Sequence, residues 1–243
     1  MVSDNGVASA AMTLMVVGAH AFDAEAMAGG WCATIAEGRG QVVIVHLSDG
    51  EQGHRELSPE RYAIQKRAEV LLAARVIGAR QESFHLPDTR VAASDGASVR
   101  LARLIRETRP DVCIGHWKGS WHPDHRAAHG VLMGGLLLAA LPTVIPELPP
   151  SVPRSIMFAE NWEDGEGFDP SFYVDITPGY DRWLAAMDAY ELCSGSIAAF
   201  PYRDYYLSLA RLRGCLSGHR YAEAFMPIRP DVAAGLGIFG TPQ

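Results

Sequence analysis

The chain has 243 residues, of which 48% are hydrophobic and 20% charged, a composition that excludes disordered, fibrous and collagen-like classes. Its formal charge of -7 offers no basic face to a phosphate backbone, so nucleic acid is not an expected partner. Cys32, Cys113, Cys193 and Cys215 stand far apart, which sets aside zinc knuckles and redox dithiols and leaves buried free thiols. Residues 1–12 hold an acid and no cationic or long apolar segment, so neither signal peptide nor anchor is expected. The longest apolar run, 131–141, is too short to span a bilayer and contains Gly134 and Gly135. These features predict a cytoplasmic protein with a small-molecule substrate and no membrane partner, built as a single domain over residues 1–243. Homo-oligomerisation is left open.

In chain order, Leu14–Gly18 is a short uninterrupted apolar run, as in a strand buried on both faces of a parallel sheet. Asp23–Glu37 reads as an Ala-rich helix with acids in its first turn, stopped by Gly38 and Gly40. Val42–Leu47 is a second strand, followed by the polar loop 48–53, and Ser58-Pro59-Glu60 opens a helix through about Ile77. Glu82–Leu86 is a third strand, Ala97–Thr108 a third helix, Asp111–Gly115 a fourth strand and Arg126–Leu141 a fourth helix. Four strand-loop-helix units in succession predict a Rossmann-like, doubly wound α/β fold whose mainly parallel sheet is flanked by helices. The five prolines of 142–153 mark a linker or surface excursion, Ile156–Ala159 and Tyr173–Ile176 late strands, and Pro178–Leu192 and Asp204–Leu216 late helices.

Open α/β sheets bind ligands beyond the carboxyl ends of their strands. The polar residues of interest fall there: His20 after the first strand, Asp49 and Glu51 after the second, Asp88 after the third, and His122, Asp124 and His125 after the fourth. His20 and Asp23 straddle a strand-to-helix turn, and His125 comes from another loop on the same rim, so the three can hold one divalent metal with positions left open. Each residue alone reads better as a capping acid or a satisfied loop histidine than as a ligand. Two histidines and a carboxylate also describe non-haem iron oxygenases, but His-x-x-Asp in alternating strands and helices does not fit that class.

Ala19-His-Ala-Phe-Asp-Ala-Glu25 and His122-Pro-Asp-His125 make the argument specific, supported by Ser48-Asp-Gly-Glu51, Arg67 with Glu69, Leu86-Pro-Asp88, Arg109-Pro-Asp111 and Tyr221-Ala-Glu-Ala-Phe225. On these segments, over nearly its whole length, the chain resembles the LmbE/PIG-L family of zinc-dependent de-N-acetylases, which act on amino sugars and their conjugates. The resemblance implies Zn2+, or another divalent metal such as Fe2+, on His20, Asp23 and His125. It implies that His122, oriented by Asp124, stabilises an oxyanion or protonates the leaving group, and that Arg67, Asp88 and Glu51 line the substrate pocket. The chemistry is coherent, since a metal polarises a carbonyl and lowers the pKa of bound water, and an imidazolium meets the charge that develops.

One departure bears on the reaction. The family pattern has two adjacent acids in its first motif, the first serving as general base, and here that position is Phe22, with Ala21 in place of the preceding proline. Three readings follow: an amide hydrolase whose proton acceptor is His122 or Glu51 or is dispensable, a hydratase of an unsaturated oxo-dicarboxylate like relatives lacking the same acid, or a ligand-binding homologue without turnover. Glu25 is a poor substitute, because two helical residues rotate about 200° away from Asp23. Phe22 is expected as an apolar wall. Trp117, Lys118 and Trp121 flank the second motif and suit either ring stacking and carboxylate anchoring or the packing of a lid. Taken together, the readings favour a metal-dependent hydrolase acting on a C–N amide.

Overall fold

The computed structural model describes residues 12–91 and 95–229, so the reading of the first residues as neither signal nor anchor lies largely outside them. The elements are β1 (Thr13–His20), α1 (Asp23–Glu37), β2 (Gln41–Ser48), α2 (Pro59–Ile77), β3 (Arg80–Leu86), α3 (Asp95–Thr108), β4 (Val112–Gly115), α4 (Pro123–Ala140), β5 (Ser155–Ala159), β6 (Phe172–Asp175), α5 (Tyr180–Met187), α6 (Tyr202–Ser217) and β7 (Ala222–Pro227). They form one sheet of order β3-β2-β1-β4-β5-β7-β6, parallel except for β7, which runs antiparallel to both neighbours. This is the mainly parallel α/β fold that the alternation predicts.

β1 shows why its residues are apolar throughout. Leu14 and Val16 face a core shared with α1, α2, α5 and α6, while Met15, Val17 and Ala19 face one shared with α3 and α4. The Pro-rich stretch after α4 is pinned by Arg106, whose buried guanidinium donates to the carbonyls of Leu138, Ala139, Leu141, Ile145 and Leu148.

Three elements differ from expectation. α4 begins at Pro123, with His122 as its N-cap, because proline at the first helical position needs no amide partner. The helix expected over 178–192 is α5 followed by a short 3-10 turn, Glu191–Ser194, because Tyr190 leaves helical geometry and its hydroxyl donates to Glu25 at 2.8 Å. β7 was not expected at all. Among the described residues no helix is long and apolar enough to cross a membrane.

Candidate metal centre

β1 and β4 lie side by side, yet the chain leaves them toward opposite edges of the sheet, and such a switch point opens a crevice beyond their carboxyl ends. His20 is the last residue of β1 and Asp23 the first of α1. Between them Phe22 turns the chain with a φ of 97°, a conformation rare for a bulky side chain. Gly50, at φ 71°, brings the β2 loop against this turn, where a Cβ would lie 3.2 Å from that of His20. Pro123 starts α4 early enough to put His125 in its first turn, facing the same crevice.

Asp23 Oδ2 is the meeting point. His20 Nδ1 lies 3.2 Å and His125 Nε2 3.3 Å from it. Donors about 2.0–2.1 Å from a tetrahedral ion stand roughly 3.4 Å apart, so this spacing fits a divalent ion with these ligands. Behind each imidazole stands a carboxylate: His20 Nε2 is 3.1 Å from Asp124 Oδ2 and 3.2 Å from Asp88 Oδ1, and His125 Nδ1 is 2.8 Å from Glu163 Oε2. Such partners fix tautomer and ring orientation. Burial opposes charge on all three ligands, but their mutual pairing prevails. Asp23 is held well below its usual pKa by His125, His116 and His20; His20 is raised by Asp124, Asp23 and Asp88, and His125 is raised to about 9 by Asp23 and Glu163.

His122 stacks on His125 at 4.7 Å and accepts the Asp124 backbone N–H at Nδ1, 3.2 Å away, which leaves its own proton on Nε2. Burial and the neighbouring imidazoles lower its pKa. This corrects the expectation that the Asp124 carboxylate orients His122. That carboxylate accepts instead from the backbone N–H groups of Thr89 and Val91 and steadies His20. His116, buried at the end of β4, stacks on His125 at 4.0 Å and lies 3.4 Å from Asp23, yet its Nε2 accepts the Ala19 N–H at 3.0 Å. With that lone pair occupied, His116 supports the ligands and is not one of them; burial lowers its pKa to about 3.

The ligands open into a cavity of about 180 Å3, with Phe22, Lys66, His122, Trp162 and Tyr202 in its wall. Phe22 is buried edge-on against Tyr190 and Tyr202, and Asp88 also lines the cavity. Arg67 does not. A helix advances 100° per residue, so α2 turns Lys66 inward and Arg67 outward, where it pairs with Asp49 at 2.7 Å. Glu51 accepts from the Asp88 N–H at 3.0 Å and from Ser48 Oγ, and lines a neighbouring surface groove. Lys118 lies over Trp117 in a separate groove, and Trp121 stands exposed between the His122 and Trp162 rings. Glu25 is buried with His46 and Tyr190, away from the metal ligands.

Sequence reasoning missed His116, Glu163, Lys66 and Tyr202. The only usable signal was the place of His116 directly after a parallel strand. Glu163 is brought in by the β5–β6 loop, which is tied to the loop before α4. Trp121 N–H donates to Glu163 O (3.0 Å), Glu166 N–H to Gly119 O (3.3 Å) and Trp117 Nε1 to Glu166 O (2.7 Å), and Ser120 bridges Asp164.

The doubly wound sheet, with His20, Asp23 and His125 converging at its switch point, defines an α/β protein whose side chains there could hold a metal ion. Residues 15–134 match the PIG-L family, GlcNAc-PI de-N-acetylase. The chain is 25% identical to the 4-oxalmesaconate hydratase of Pseudomonas putida, over 91% of each chain. It is 24% identical to the diacetylchitobiose deacetylase of Thermococcus kodakarensis, over 86% of this chain and 80% of that one. The conserved protein TT1542 of Thermus thermophilus has the same fold, with a TM-score of 0.77 and 29% identity over 89% of this chain and 94% of that one. Two of these relatives are enzymes, one a hydratase and the other a deacetylase.

Proposed function

We propose that this chain is a zinc-dependent hydrolase that cleaves the C–N amide of a small N-acylated compound, such as an N-acetylated amino sugar. The observation that carries the reading is the meeting of His20 Nδ1 and His125 Nε2 on Asp23 Oδ2, with His122 stacked alongside. When bound, the ion supplies a Lewis acid for the acyl oxygen and acidifies the attacking water. Asp124 and Glu163 hold the two ligand imidazoles in register. His122, with its proton on Nε2, donates to the oxygen on which charge develops, or passes that proton to the leaving nitrogen. Phe22 and Trp162 exclude water from this part of the cavity. General-base assistance is worth about 10²–10⁴-fold, so Phe22 slows hydrolysis without abolishing it. A cytoplasmic location and a single domain over residues 1–243 belong to the same reading.

The test is release of acetate or another acid from a panel of N-acylated amino compounds by zinc-loaded protein, with loss of activity on chelation. A second reading, hydration of an unsaturated oxo-dicarboxylate, is favoured by Phe22 and by the similarity to 4-oxalmesaconate hydratase. Failure of the amide panel, together with loss of the conjugated double bond of such an acid, selects it.

A further inference from the structure

Lys66 has no part in the chemistry above, yet it sits in the cavity wall with the metal ligands. It is 2% exposed, and Nζ donates to the Ala21 carbonyl at 3.0 Å. Its other surroundings are ring faces, those of Tyr190, Tyr62 and Phe22 at 5.0, 5.6 and 6.0 Å. Among the described residues no carboxylate forms an ion pair with it; Glu69, Asp23 and Glu25 act on it only at longer range. Burial draws its pKa down, as expected of an ammonium held without a close counter-charge.

An ammonium has three N–H donors, and one of these is used. A buried cation in a cavity wall, with donors to spare, recognises an anion. Asp23, Asp88 and Glu163 also line this cavity, so a dianion such as phosphate meets more repulsion than a single carboxylate. We propose that the substrate carries a carboxylate close to its reacting acyl group, and that Lys66 receives it. The substrate class is then the N-acyl amino acids and similar small acylated acids. This rests on the cavity being the substrate site of the proposed hydrolase.

The experiment titrates zinc-loaded full-length protein with levulinate, in which a methylene replaces the amide nitrogen of N-acetylglycine, and with hexane-2,5-dione, its neutral counterpart. Charge-assisted hydrogen bonding predicts about 10–100-fold tighter binding of levulinate. Lys66→Met and Lys66→Gln are expected to abolish the preference, the glutamine keeping a donor for the Ala21 carbonyl should the methionine variant fold poorly. Lys66→Arg is expected to restore part of it. Equal binding of the two ketones, or a preference that survives both neutral substitutions, overturns the proposal. Neither ketone can be cleaved, so an intact preference alongside a failed amide panel overturns the hydrolase reading and not the anchor.

Discussion

Phe22→Asp places a second acid beside Asp23, and the structure sets both its cost and its benefit. The ring is 2% exposed and packs on Tyr190 and Tyr202, so its loss costs about 3–5 kcal/mol on the scale of large-to-small core changes. Two effects offset this. A φ of 97° is easier for aspartate than for phenylalanine, a relief of about 1 kcal/mol. A carboxylate about 6 Å from the Lys66 ammonium gains roughly 2–3 kcal/mol at an effective dielectric constant near 20. The variant should therefore fold, at most about 2 kcal/mol less stable on these figures. Hydrolysis of neutral N-acetyl compounds should rise by about 10²–10⁴-fold, measured as acetate release. Denaturant unfolding and zinc content are measured on the same sample. A folded, fully metallated variant with no gain in amide hydrolysis would refute the view that this cavity is a hydrolase site short of one base.

Other consequences can be measured independently. His125→Ala should strip the metal, and a retained full equivalent sinks the ligand assignment. Glu163→Gln should weaken zinc binding by about 10–100-fold in chelator competition, since Glu163 stands 2.8 Å behind His125; unchanged affinity would show that this carboxylate does not position the ring. Arg106→Met leaves five backbone carbonyls without their buried donor and should cost at least about 3 kcal/mol in urea unfolding, whereas a loss under about 1 kcal/mol would contradict the pinning of 142–153. Burial raises Glu223 to about 8, against the pull of the Trp31 and Gly30 N–H groups it accepts. The folded state then holds a proton that the unfolded chain releases near 4.5, so this contribution is complete below pH 4.5 and is lost as pH rises toward 8. Metal-stripped protein should lose stability between pH 5 and 8, and Glu223→Gln should flatten that slope. Equal slopes would show that Glu223 ionises normally in the fold.

What could be read from the chain was local. β1 through α4 follow from apolar runs and helix signals, and His20, Asp23 and His125 from motifs in which a few consecutive residues fix the geometry. Lys66 was passed over for Arg67 because a one-residue choice on a helix depends on its rotation about its own axis, which a short motif does not fix. Glu163 and His125 lie 38 positions apart and meet only because two loops are hydrogen-bonded. β7 escaped notice because Ala-Glu-Ala-Phe-Met alternates weakly, and its glutamate turns inward to the amides of α1. The carboxylate of Asp124 was assigned to its sequence neighbour His122, when its partner is His20, 104 residues away.

The hydrogen bonds between the loop before α4 and the β5–β6 loop make the second motif and Glu163 one braced unit. The brace also reaches α6 and the residues just before it, since Arg213 pairs with Glu160 and Trp162 packs on Phe200 and Tyr202. Lys66 and Leu192 come from α2 and the 3-10 turn, which these contacts leave out. A substitution in loop 160–166 therefore touches both the His125 side and the Tyr202 wall of the cavity, whereas the Lys66 side can be altered without cutting that brace.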